Sequence, residues 1–214
     1  IELGLGKIGA QVGGKLPSSF MSIEMKEQIR NITNFDNEVV QPDSSTVSGL
    51  STPTPDLIKN IDAIVHLLDT DIKVDVSESL DSAMRGTYDL LWSAAQEGIS
   101  RIVLLSSLSL FSKYDEVMRV TETWRPTVTT DPKILCNHLA EYVCREFARE
   151  GRIQVVCLRL GEITPPDAIT PTHWSSNLYG EDATSAVNLA IDANLPVGPY
   201  ETIEPKWSIF HIQS

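Results

Sequence analysis

The chain has 214 residues, enough for one domain with a proper core, and its 42% hydrophobic and 21% charged residues are ordinary globular values. A formal net charge of −12 argues against a nucleic-acid binder, which needs clustered Lys and Arg. No stretch approaches the roughly 18 consecutive apolar residues of a membrane span, and no signal peptide with a basic flank is visible, so a cytoplasmic protein is expected.

Cys136, Cys144 and Cys157 make an odd count without CxxC spacing. They read as buried thiols in a reducing compartment rather than as metal ligands, and no metal site is expected. The chain begins without Met, which implies a sequence incomplete at both ends.

In chain order, the first informative stretch is IELGLGKIGAQVGGKL, where Gly4, Gly6 and Gly9 are spaced as GxGxxG. Such a turn lets backbone approach a pyrophosphate, and the N-terminus of a following helix attracts its charge. Ile8, Val12 and Leu16 would then face a sheet at helical spacing. A glycine-rich turn before an amphipathic helix explains the same residues, and both readings stay open. A short helix follows over residues 21–32, then the end of a strand at Val39 and Val40. Asp43 is the nearest acid to that strand end, where an NAD-type site would hold the adenosine ribose. Residues 43–55, rich in Ser, Thr and Pro, read as loop.

From Pro55 onward the pattern is regular. AIVHLL over residues 63–68 is a continuous apolar run, as expected of a parallel strand covered on both faces. Residues 77–97 carry Leu80, Met84, Leu90, Leu91 and Ala95 at helical intervals, with Gly98 as the stop. Residues 101–105 form the next strand. Residues 132–150 form a helix with Leu135, Leu139, Val143 and Phe147 on one face and Gly151 at its end. Residues 154–160, QVVCLRL, form a third buried strand. Strands alternating with amphipathic helices mean an α/β fold with a doubly wound parallel sheet. Ligands of such sheets bind beyond the carboxyl ends of the strands, around residues 66–69, 106–109 and 161–164.

The segments IDAIVHLLDT, MRGTYDLLWSAAQEGISRIVLLSS, HLAEYVCREFARE and VVCLRLGEITPP, in that order, resemble the extended short-chain dehydrogenase/reductase superfamily, in its NAD-dependent epimerase/dehydratase branch. EDATSAVNLAIDA resembles that family's late helix, and KWSIFHIQS the strand after it. The resemblance implies a Rossmann-like core over residues 1–160. Residues 161–214 would form a substrate-side lid within the same unit. It also implies NAD or NADP as cofactor, bound by Gly4, Gly6, Gly9, His66 and Leu67. A small-molecule substrate follows, of nucleotide-sugar type, and a homodimer through the helices at residues 77–97 and 132–150.

In that family a Ser or Thr works with a Tyr-x-x-x-Lys pair on one helix. The tyrosine exchanges a proton with the substrate carbinol, and the lysine one turn away lowers its pKa by charge. Ser107 matches the family serine, and Glu141 matches the helix glutamate that fixes the register. Counting back from Glu141, Lys133 stands at the tyrosine position and Asn137 at the lysine position. None of the five tyrosines has a lysine four residues on. Ala83, Leu50 and the Leu68–Asp69 pair are further departures.

Ser107 is therefore the remaining candidate catalyst. Lys133 reads as a solvated helix residue, since an ordinary lysine is a poor acid–base at neutral pH. Asn137 offers a hydrogen bond to a ribose but no charge. His66 reads as a packed histidine, His138 as facing solvent or site, and Arg159 as a structural ion-pair partner. His173 and Trp174 lie in a loop able to reach the crevice. No GxSxG, HExxH or GKS/T signature is present, so hydrolase and kinase chemistry lack support. The expected protein is a dinucleotide-binding family member without the usual proton relay. A non-catalytic redox sensor or scaffold acting through a protein partner is the alternative.

Overall fold

Three apolar runs form the centre of one parallel sheet, since each has side chains to bury on both faces. The structure is a computed structural model and describes residues 8–9, 12–13, 62–68, 75–115, 117–163, 177–195 and 206–214. The central strands are β3 (Ala63–Leu68), β4 (Arg101–Ser107) and β5 (Gln154–Leu160). Two short strands, β1 (Ile8–Gly9) and β2 (Val12–Gly13), lie outside β3, and the last strand, β8 (Trp207–Ile212), lies outside β5. Every pairing in this sheet is parallel. A separate two-stranded ladder joins β6 (Glu162–Ile163) to β7 (Asn177–Leu178).

The alternation of side chains along each strand divides the core in two. Ile64, Leu68, Ile102, Leu104, Val155 and Cys157 face one side. They meet Leu90, Leu91 and Ala94 of α2 (Thr87–Gln96), and Cys136, Ala140, Cys144 and Phe147 of α3 (Pro132–Arg149). Val65, Val103, Leu105, Val156, Leu158 and Leu160 face the other side, against Ala183, Val187 and Ala190 of α4 (Gly180–Asp192). Each fully buried leucine contributes about 1.5–3 kcal/mol. Truncating Leu91, which is completely buried, to alanine costs about 2–5 kcal/mol.

The helix ends follow from local chemistry. The Asp131 side chain accepts from the Lys133 N–H at 2.9 Å, and Pro132 opens α3 where its missing N–H costs nothing. Gly98 (φ 76°) and Gly151 (φ 71°) follow α2 and α3 in the left-handed conformation that favours glycine. The helix expected over residues 77–97 is continuous but not uniform. It runs as α1 (Val76–Asp81), a π-turn at Ser82–Gly86, and α2. The π-turn begins beside Ala83, one of the departures from the family pattern, and ends at Gly86.

One expectation is corrected at the N-terminal end. The sequence pattern puts Ile8 and Val12 on a helix, with Gly9 closing the turn before it. Instead Ile8 pairs with Ala63, Gly9 with Ile64, Val12 with Leu67 and Gly13 with Leu68, all in one parallel register. Gly9, Gly13 and Gly14 each cost a helix about 1 kcal/mol, whereas the open flank of β3 supplies backbone partners for an extended chain. Gly9 is thus inside the sheet, and Gly13 is the glycine level with the carboxyl end of β3. Gly4 and Gly6 lie outside the described residues, as do the segments around Asp43, Leu50 and Asp69.

Candidate functional site

At the carboxyl edge of the sheet, register alone assembles a polar row. Ser106 of β4 is the cross-strand neighbour of Arg159 of β5, which is the neighbour of His211 of β8. All three lie on the α3 side, because they share the alternation of Leu104, Cys157 and Ile209. A row of three polar residues under a helix needs a partner from that helix, and Glu141 supplies it.

The Glu141 carboxylate accepts four contacts from three side chains. Arg159 donates through Nε to Oε1 at 2.9 Å and through Nη2 to Oε2 at 2.7 Å. Ser106 Oγ donates to Oε1 at 2.6 Å, and the Cys157 thiol reaches the same oxygen at 3.6 Å. An ionised carboxylate has about four lone-pair positions, so this one is nearly saturated. Both charged side chains are almost fully buried, at 4% and 6% exposure. Burial opposes the charge on Arg159, but the hydrogen bonds and charge of Glu141 outweigh it and hold the guanidinium pKa above its usual value. Burial, then the Glu141 charge, pushes the Cys157 thiol well up. The expectation that Arg159 is a structural ion-pair partner matches this geometry. The role of Ser106 as the serine that meets the helix was not anticipated, although strand alternation separates it from Ser107.

Ser107 ends β4 on the opposite alternation. Its Oγ accepts from the Ser109 N–H at 3.1 Å and caps a 3₁₀ turn at Leu108–Phe111. Lys133 and Asn137 lie two turns and one turn before Glu141, on the same helix face. Both are half-buried, and the Asn137 amide donates to the Lys133 carbonyl at 2.9 Å. The helix α3 runs back from the carboxyl end of β4 towards the start of β5, so its first turns stand at the carboxyl edge of the sheet.

His66 faces the helices rather than the edge. Its Nε2 lies 3.0 Å from Thr87 Oγ1, and its Nδ1 is buried without a hydrogen-bond partner. Burial lowers its pKa to about 4, so the ring is neutral at physiological pH. Leu67 is half-buried and packs on the α4 side. His138 is half-buried, with Nδ1 enclosed and without a hydrogen-bond partner. His173 and Trp174 lie outside the described residues. Among the described residues no group of His, Cys, Asp and Glu is arranged to hold a metal ion, and no helix is long and apolar enough to cross a membrane.

The family model for the NAD dependent epimerase/dehydratase family matches residues 38–197, about three quarters of the chain. The chain belongs to that family. The match begins after the glycine-rich stretch and takes in the Ser106–Glu141–Arg159 cluster. A protein of Bacillus subtilis (strain 168), YtbQ, is 25% identical over 224 residues, covering 94% of this chain and 87% of that one. Among solved structures, a short-chain dehydrogenase/reductase superfamily protein from Agrobacterium tumefaciens with bound NAD superposes with a TM-score of 0.69 at 17% identity. That likeness covers 97% of this chain and 77% of the other. The UDP-N-acetylglucosamine 4-epimerase of Bacillus cereus superposes with a TM-score of 0.59 at 20% identity, over 75% of this chain. The chain spans only 61% of that enzyme's length. These likenesses establish the Rossmann-like fold.

Proposed function

We propose that this chain is an NAD(P)-binding, epimerase/dehydratase-like protein that lacks the usual Tyr/Lys proton relay. The observation that carries the reading is Glu141. Its contacts with Ser106 and Arg159 support the alignment in which Lys133 and Asn137 stand at the relay positions. Family membership and the bound NAD of the Agrobacterium tumefaciens structure support the cofactor. The UDP-sugar enzyme among the similar structures supports a nucleotide-sugar or comparable hydroxyl substrate.

The pairing of Gly13 with Leu68 supports a dinucleotide at the carboxyl end of β3, since glycine permits close backbone approach. Together with Gly4, Gly6 and the backbone of His66 and Leu67, Gly13 would hold the pyrophosphate side. The dinucleotide, when bound, supplies a hydride acceptor or donor. Ser107 would orient a substrate oxygen through its hydroxyl, and Asn137 would hydrogen-bond the nicotinamide ribose. Neither can take up a carbinol proton at neutral pH. Lys133, as a cation, would stabilise negative charge without acting as a base.

The complete absence of Tyr-x-x-x-Lys favours the second reading, a non-catalytic relative that reports dinucleotide state or supports a partner. Met84, Tyr88 and Trp92 are exposed at four-residue spacing along one helix face, and Tyr142 is exposed on α3. This apolar surface supports self-association into a homodimer through these helices. Dinucleotide titration tests binding. Installing the missing pair, Lys133→Tyr with Asn137→Lys, tests the relay: hydride transfer gained by the double variant alone is the expected outcome.

A further inference from the structure

One guanidinium touches both halves of the candidate site. Arg159 donates through Nε and Nη2 to the Glu141 carboxylate, which stands one helical turn beyond Asn137 and two beyond Lys133. Its remaining nitrogen, Nη1, lies 3.4 Å from His211 Nε2. The donors of a guanidinium lie in its plane, so these contacts leave its flat faces open. One face lies over the Phe111 ring, with the central carbon 5.0 Å from the ring centroid. A cation within about 6 Å of a ring centroid is attracted by the negative face of the ring. The His211 imidazole packs against the same ring, at 5.2 Å between centroids.

Phe111 closes the 3₁₀ turn that Ser107 caps. The Ser107 hydroxyl oxygen accepts from the Ser109 N–H, which leaves the hydroxyl proton for a substrate oxygen. Strand alternation turns Ser107 away from the α3 side, so its link to the helix runs through this turn. A continuous path therefore joins Ser107 to Asn137 by way of Phe111, Arg159 and Glu141. All three of those side chains are buried, and a close-packed interior passes displacement on. Lysine at position 159 would keep the charge opposite Glu141 but would have neither the fork nor the flat face.

We propose that Arg159 is a positioning residue of the candidate site, fixing the Ser107 turn relative to the α3 face that carries Lys133 and Asn137. It acts through Phe111 on one side and through Glu141 on the other. The role rests on the proposed function in assigning Ser107 and Asn137 to the site, whereas the coupling between them belongs to the chain without ligand.

A double-mutant cycle read by two-dimensional NMR tests it. The reporter is the Asn137 side-chain amide, which donates to the Lys133 carbonyl at 2.9 Å. Phe111→Leu removes the ring face and keeps the position apolar. In the wild-type background it should shift the Asn137 amide resonances, and in a Glu141→Leu, Arg159→Met background that shift should be lost. An ion pair that only stabilises the fold gives no such dependence on background. An equal shift in both backgrounds, the mark of a route that bypasses Arg159, overturns the role, and so does an absent shift in the wild type. If the apolar background does not fold, Arg159→Lys takes its place and the same outcomes decide. The cycle is run without dinucleotide, so an absent coupling overturns the role of Arg159 and leaves the proposed function standing. A wild-type chain that binds no dinucleotide overturns the proposed function instead, with the coupling intact.

Discussion

Glu141 and Arg159 form a two-point ion pair, at 2.9 and 2.7 Å, sealed between α3 and β5. Such a pair adds little net stability relative to a well-packed apolar replacement, but removing one partner strands the other charge. Glu141→Gln is therefore expected to cost about 3–5 kcal/mol in urea unfolding. Replacing both, with Glu141→Leu and Arg159→Met, should recover much of that loss. A single variant as stable as the wild type would contradict the assignment of a buried ion pair.

His66 gives stability a pH dependence of known sign. Its folded pKa, about 4, lies below its unfolded value of 6.5, so the unfolded chain binds the proton more readily. Stability from this group is complete above about pH 6.5 and falls away as pH drops towards 4, by about 3 kcal/mol in all. Urea titrations across that window should show this loss in the wild type and a flatter profile in His66→Leu. Identical profiles would remove His66 as the cause.

The three cysteines are buried and unpaired by disulfides, and burial raises the pKa of each thiol. Thiolate is the reactive form, so native protein at neutral pH should resist alkylation while denatured protein reacts at all three positions. Rapid labelling of one cysteine in the native state would place it outside the core.

Much of this architecture is legible in the sequence, for a physical reason. A parallel strand buried on both faces must be apolar throughout, and AIVHLL and QVVCLRL occupy β3 and β5 with the boundaries their sequences imply. α3 is equally readable from Asp131–Pro132 at its start and Gly151 after its end. What periodicity could not supply was cross-strand register. Ser106, Arg159 and His211 are far apart in sequence and become neighbours only through pairing, so the cluster on Glu141 was visible as separate residues and not as a site. The π-turn at Ser82–Gly86 is invisible to a helical pattern: Leu90 and Leu91 are buried as their intervals imply, but the changed phase exposes Met84 and turns Ala83 to the core. The N-terminal glycines misled because GxGxxG has no strand pattern before it, while strand pairing with β3 is a tertiary interaction.

Dinucleotide binding by a chain without a Tyr-x-x-x-Lys pair is the central element of the proposed function. Titration of NAD(H) and NADP(H) against the purified chain, followed by thermal shift and intrinsic fluorescence, tests this directly. The predicted result is saturable binding of at least one dinucleotide, with no reduction or oxidation of it across a panel of nucleotide-sugars. Absence of a shift with any of the four forms, or steady turnover by the unmodified chain, would contradict the account.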